Sequence, residues 1–260
     1  NTLAGKLTYA DYSNNPDNLD ATVKIANGLA ADAVTVKAGN IVFASNGKGG
    51  YTNKVSEFHT TLTGDADTDA EYKVAGVLLE DGTYKFTDDS MIAVTGENVR
   101  TISLTKGAII DDTGKTLDLD IAESTKSAHG IFHDAAEAVN VKADTLSINI
   151  KSTSDGGDGA QGIRNLQGDV VLDANVNIDV DGTNNTMGFY NKGNITVNGD
   201  LNVKVEGNNG GYAQYGASGI YATSSMGSSK GGLTDVKGKY NFEGNANGIY
   251  ANSGGSVVNV

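Results

Sequence analysis

Gly188-Phe189-Tyr190-Asn191-Lys192-Gly193-Asn194-Ile195-Thr196-Val197-Asn198-Gly199-Asp200-Leu201-Asn202-Val203-Lys204-Val205 holds one full copy of the pattern on which the chain is built. It opens with a glycine and two bulky residues, continues with one short apolar run, and ends with a second. In Leu201-Asn202-Val203-Lys204-Val205 every second residue is apolar. A strand with one buried face and one wet face has that pattern. Gly193 and Gly199, each beside Asn or Asp, supply the corners between the runs.

The same phrase recurs on both sides. Upstream it reads Gly130-Ile131-Phe132, Val139-Asn140-Val141 and Leu146-Ser147-Ile148-Asn149-Ile150, and then Gly162-Ile163-Arg164, Val170-Val171-Leu172 and Val176-Asn177-Ile178-Asp179-Val180. Downstream, Gly219-Ile220-Tyr221 precedes Leu233 and Tyr240-Asn241-Phe242, and Gly248-Ile249-Tyr250 precedes Val257-Val258-Asn259-Val260. The leading glycines are 26 to 32 residues apart. A period of that size marks stacked repeats. No repeat carries an apolar i, i+3, i+4, i+7 pattern, so helical solenoids are excluded. Three short strands per repeat, each with one inward face, predict an all-β, right-handed parallel β-helix of three-strand coils. Uneven loops at the corners account for the uneven period.

Residues 74–260 carry this pattern without a linker, and Leu117-Asp118-Leu119-Asp120-Ile121 alternates as cleanly as the later strands. Residues 1–73 form a less regular β region, a cap or first coils, with short strands expected at 7–9, 21–25, 34–36 and 41–43. The Asp81-Gly82 pair suggests a local antiparallel hairpin between 77–79 and 83–86.

Of 260 residues 32 are acidic and 19 basic, for a net charge of −13. Only Arg100 and Arg164 are arginines. Phosphate recognition needs clustered Lys and Arg, which argues against nucleic acid and anionic membrane surfaces as partners. No apolar run is long enough to span a membrane. Cysteine is absent, which removes disulfides and thiolate metal sites and suits a chain that crosses an oxidising compartment unfolded. The chain lacks an initiator Met and ends at Val260 inside a strand pattern, as expected of a piece of something longer.

Several motifs match a chemical signature without its context. Gly157-Asp158-Gly159-Ala160-Gln161-Gly162 fits the dinucleotide fingerprint, but that site needs a helix where this chain continues as a strand. Gly227-Ser228-Ser229-Lys230-Gly231 has nucleophile-elbow spacing without the helix or a nearby histidine. Asp65-Ala66-Asp67-Thr68-Asp69 begins like a calcium loop, but Ala70 and Gly76 stand where glycine and a bidentate glutamate belong. Gly156-Gly157-Asp158-Gly159 opens a calcium nonapeptide that Gln161 breaks. His129 and His133 are about 13 Å apart on a strand, too far to share a metal, and are expected to flank a corner at Gly130. Asp173, Asp179, Asp181, Asp200 and Glu206 occupy outward slots of half-buried strands and read as a solvated face. No catalytic residue, metal ligand or cofactor site is expected.

One column stands apart. The residue after the Gly-apolar pair is Phe132, Arg164, Tyr190, Tyr221 and Tyr250 in successive repeats. If Ile131, Ile163, Phe189, Ile220 and Ile249 point inward, this column points outward and its members stack about 4.8 Å apart. Such a stripe either packs upon itself or offers an amphipathic platform to a sugar or a protein. Asn165 and Asn191 follow it in register and read as an asparagine ladder that staples a turn.

The phrases Gly193-Asn194-Ile195-Thr196-Val197-Asn198-Gly199-Asp200-Leu201-Asn202-Val203 and Gly248-Ile249-Tyr250-Ala251-Asn252 resemble passenger domains of Gram-negative autotransporters, over about residues 74 to 260. That resemblance implies export, passage through the outer membrane by way of a C-terminal barrel, and display at the cell surface. The family's protease branch uses a Gly-Asp-Ser-Gly type serine site that this sequence lacks, which leaves the adhesin branch. The expected function is therefore binding, to glycans or proteins of host or neighbouring cells or to copies of this chain. A solenoid provides a long rigid wall for many modest contacts. A carbohydrate-active β-helix enzyme would instead need carboxylates converging in a groove, and a stalk would need no binding surface at all.

Overall fold

The computed structural model describes the backbone of residues 34–36, 40–44, 75–80 and 83–86, and the chain over 89–105, 107–153, 158–207, 217–224 and 230–260. The expected strands at 7–9 and 21–25, the acidic loop at 65–69, the Asp81-Gly82 turn and most of the 227–231 corner lie outside the described residues. No helix occurs among the described residues.

The strands are β1 (Val34–Val36), β2 (Asn40–Ala44), β3 (Ala75–Glu80), β4 (Thr83–Phe86), β5 (Ser90–Thr105), β6 (Ile109–His133), β7 (Val139–Ser152), β8 (Ala160–Asn165) and β9 (Asp169–Gly182). They continue as β10 (Met187–Asn191), β11 (Asn194–Val197), β12 (Leu201–Gly207), β13 (Ser218–Ala222), β14 (Leu233–Val236), β15 (Tyr240–Gly244), β16 (Asn247–Ala251) and β17 (Val257–Asn259). They pair in parallel and wrap nearly round one axis, which fits a β-helix. The one antiparallel contact among the described residues is an isolated bridge between Ser224 and Gly231.

Register links each repeat to the next along three walls. On the first, Ile102, Ile131, Ile163, Phe189, Ile220 and Ile249 stand in line. On the second, Ile110, Val141, Leu172, Val197 and Val236 do so. On the third, Leu119, Ile148, Ile178, Val203 and Phe242 do so. These columns meet in one continuous core in which Ile131, Ile163, Phe189 and Ile220 are fully buried. Ile249 is 40 % exposed, on the last strand of its wall, which is paired on one side only among the described residues.

Three local expectations change. The runs at 109–110, 117–121 and 129–133 are not separate strands: β6 spans all three, with Gly114 at φ of 77° between the first two. It turns by register shifts, at Asp112/Thr116 against β7, and β7 does the same at Lys142/Thr145 against β9. Two extra residues on β6 (113–115 against 144) and one on β7 (143–144 against 174) bend the strands at these corners, the first with Gly114 at positive φ. The hairpin at Asp81-Gly82 is not supported: β3 pairs in parallel with β5, and β4 with β1 and β6. The histidines do not flank a corner, because His129, Gly130 and His133 all lie within β6.

The leading glycines have a packing cause. A Cβ at Gly162 would stand 2.6 Å from Ile178 Cγ2 and 2.7 Å from the Gly188 carbonyl oxygen. Gly130 meets Ile148 and the Gly162 carbonyl in the same way, and Gly188 meets Val203 and the Gly219 carbonyl. Each glycine lets the first wall lie directly against the third-wall column and against the next repeat's backbone. Two of the N-terminal strands, β1 and β2, join the same sheet through β4 and β5.

Candidate functional site

Strands β6, β8, β10, β13 and β16 carry the expected outward column, and register aligns Phe132, Arg164, Tyr190, Tyr221 and Tyr250 across them. Tyr190 and Tyr221 stack with centroids 5.4 Å apart and planes 13° apart; Tyr221 and Tyr250 stack at 5.6 Å and 27°. Arg164 Cζ lies 4.8 Å from the centre of the Tyr190 ring, and Arg100 Cζ lies 3.5 Å from that of Phe132. The members therefore cover one another along the column. Phe132 is 7 % exposed and Tyr221 3 %, while Arg164, Tyr190 and Tyr250 are half-buried. Neighbours stacked on Tyr190 and Tyr221 leave edges and hydroxyls rather than open ring faces for a partner.

A cleft of about 390 Å³ and another of about 320 Å³ are open on the described surface. The smaller runs along the column. Arg164, Tyr190 and Tyr221 line it with Asp158, Gln161, Asn185, Met187, Lys192, Thr223, Ser224 and Asn252. Its polar groups are partly tied down. Arg164 Nη2 pairs with Asp158 at 3.0 Å, and Arg164 Nη1 donates to Gln161 Oε1 at 3.1 Å. Gln161 Nε2 donates in turn to the Asp158 carbonyl at 2.7 Å, and Asn252 Nδ2 donates to the Tyr221 hydroxyl at 2.6 Å. Asn185 sits at the rim with φ of 44°, the left-handed region that Asn tolerates.

Behind this cleft the column Arg100, His129, Gln161 and Met187 continues in register. Arg100 is 9 % exposed and His129 1 %. Arg100 Nη1, Arg164 Nε and both ring nitrogens of His129 are buried without a hydrogen-bond partner. Burial, with Arg164 nearby, lowers Arg100 to about 10. Burial also holds His129 well below its ordinary value, helped by Arg164 and Arg100, so the imidazole is neutral at pH 7.

The asparagine ladder is present. Asn165 Nδ2 donates to Asn191 Oδ1 at 3.1 Å, to the Asn194 carbonyl at 3.0 Å and to the Gly168 carbonyl at 3.2 Å. Asn191 Nδ2 donates to the Leu233 carbonyl at 2.7 Å and to Thr234 Oγ1 at 3.0 Å. His133, in the same column as these asparagines, bonds through Nδ1 to the Leu104 carbonyl at 2.8 Å.

Most of the outward carboxylates are engaged between repeats. Asp173 accepts from Asn140 at 3.0 Å and from Asn198; Lys204 bridges Asp179 at 3.3 Å and Glu206 at 3.1 Å; Asp200 accepts from the Lys239 amide at 2.8 Å. The larger groove, on the third wall, is lined by the amides of Asn177, Asn202 and Asn241, which bond in series at 2.9 and 2.7 Å, and by Asp179, Lys204 and Glu243. Among the described residues no three of His, Asp and Glu form a group that could hold a metal. Of the dinucleotide-like glycines, Gly159 leads directly into strand β8 and Gly162 lies within it.

Sequence reasoning found the column but not the cleft beside it. Asp158, Asn185, Thr223 and Asn252 come from loops and strand ends, where no period marks them. The available signal was charge: the chain's two arginines lie on the first wall, on the strands either side of Phe132, Arg100 over its ring and Arg164 in register with it. No family model matches the chain, and no curated protein or solved structure matches it.

Proposed function

We propose that this chain is the β-helical part of a surface-displayed autotransporter passenger, wound as a right-handed solenoid of three-strand coils, that works as an adhesin by binding glycans of host or neighbouring cells. Right-handed crossovers between parallel strands are the strongly favoured hand, which supports the winding. One observation carries the functional reading: the cleft along Arg164, Tyr190 and Tyr221 brings phenol, amide, hydroxyl and charged groups together in about 320 Å³. A polyhydroxylated ligand needs many hydrogen-bond partners of both kinds on a preformed surface, with some apolar edge to cover its C–H groups. The enzyme alternative is less favoured, since Asp173 and Asp179 of the outward row are bonded to Asn140 and Lys204 of neighbouring repeats.

A glycan array and a cell-adhesion assay with this fragment test the reading, run beside Tyr190→Phe, Tyr190→Ser and Tyr250→Ser. Saccharide binding that weakens in Tyr190→Phe, with thermal unfolding unchanged, supports it. Adhesion that survives all three substitutions in folded protein removes the column from the binding surface.

A further inference from the structure

In a chain of net charge −13, the surroundings of this one cleft are cationic. Both arginines of the sequence lie here, and Lys192 lines the cleft as well. Lys192 Nζ rests 5.4 Å from the centre of the Tyr190 ring and makes no ion pair among the described residues. Arg164 has one carboxylate partner among the described residues, Asp158, itself exposed; Arg100 has none within 4 Å among the described residues and keeps a buried Nη1 unbonded. Buried cations without partners are costly, and proteins ordinarily pair them. Here three positive groups, Arg100, Arg164 and Lys192, face two exposed aspartates, Asp158 and Asp134, with a neutral, unpartnered imidazole beside Arg100.

From this arrangement we infer that the cleft is selective for acidic saccharides, whose carboxylate or sulfate group is held by Lys192 and Arg164 while the hydroxyls bond to Tyr190, Thr223 and Asn252. Arg100 lies behind Phe132 and acts through its field, which burial leaves poorly screened. An anion in the cleft would balance the one positive charge that Asp158 and Asp134 leave over. The inference rests on the glycan reading and names the chemical class that reading leaves open.

The experiment is titration of the folded chain with three hexasaccharides, one of galacturonate, one of sulfated chondroitin and one of neutral galactan, at about 20 and 200 mM salt. At low salt at least one acidic ligand is expected to bind about tenfold more tightly than the galactan, and the margin is expected to shrink at high salt. The arm that binds tells carboxylate from sulfate recognition. Lys192→Gln is expected to remove most of the margin and Lys192→Arg to keep it. Equal affinity for galactan, or an unchanged margin in Lys192→Gln, overturns the acidic selectivity and leaves the glycan reading standing. Absence of binding to all three, in a chain that binds neutral sugars on an array, overturns the selectivity as well; absence of every saccharide overturns both.

Discussion

Asn165 and Asn191 are both fully buried, and Asn165 Nδ2 donates to Asn191 Oδ1 across 3.1 Å from one repeat to the next. Each amide also bonds backbone carbonyls at the corner beyond it, so the pair fixes two turns and the spacing between them.

Removing one member should therefore cost more than one hydrogen bond. Asn165→Ala leaves the Gly168 and Asn194 carbonyls and Asn191 Oδ1 without that donor, and the expected loss is about 2–4 kcal/mol. Asn177→Ala, in the exposed amide series, should change stability by less than about 0.5 kcal/mol. Urea midpoints of the two variants measure the contrast. Equal midpoints would mean that the buried ladder does not hold the corner.

Gly162→Ala tests the close approach of the first wall to the third. Its Cβ would meet Ile178 Cγ2 and the Gly188 carbonyl inside 3 Å, an overpacking worth about 1–3 kcal/mol. Gly254→Ala, where a Cβ meets nothing within 4 Å, should be neutral within about 0.5 kcal/mol. Thermal unfolding of both variants distinguishes packing from a general dislike of side chains at glycine positions.

The core columns and the ladder were legible because stacking forces every repeat to place like residues in register. The inward direction supposed for Ile131, Ile163, Phe189, Ile220 and Ile249 holds for the first four, which are buried, while Ile249 is 40 % exposed. The corners were less legible: the register shift at 112–116, with Gly114 at φ of 77°, keeps the chain within one strand, where its polar residues read as a loop between two. The leading glycines Gly130, Gly162 and Gly188 marked the period without a stated cause, which lies in Ile148, Ile178 and Val203 of another strand, where local sequence does not display it. The aromatic column was visible and the half of the cleft built from loops was not, since Asp158, Asn185 and Asn252 meet it only after folding.

Asp112 makes stability depend on pH. It is fully buried with neither oxygen bonded, and burial, with Asp89 nearby, raises it to about 7 from 3.8. Between those values the unfolded chain releases this proton and the folded chain keeps it, so this carboxyl lowers stability as pH rises from about 4 to 7 and costs a constant amount above. Asp112→Asn should match the parent near pH 4 and exceed it by about 1–3 kcal/mol at pH 8. Urea unfolding of both proteins at the two pH values checks the sign; a variant less stable at pH 8 would refute it.

The Tyr190 hydroxyl tests the site separately from the fold. Tyr190→Phe keeps the stack on Tyr221 and the Arg164 contact, so unfolding should be unchanged within about 0.5 kcal/mol while glycan affinity falls about three- to tenfold. Isothermal titration and a thermal melt on one preparation separate the two effects. A loss of stability equal to the loss of binding would assign the hydroxyl to the fold alone.

The most direct measurement is amide chemical-shift mapping of the isotopically labelled chain titrated with an acidic hexasaccharide. Shifts clustered at Asp158, Arg164, Tyr190, Lys192, Thr223 and Asn252 are expected. Shifts clustered instead at Asn177, Asn202 and Asn241 on the third wall, or none at saturating ligand, would contradict the assignment of binding to the aromatic column.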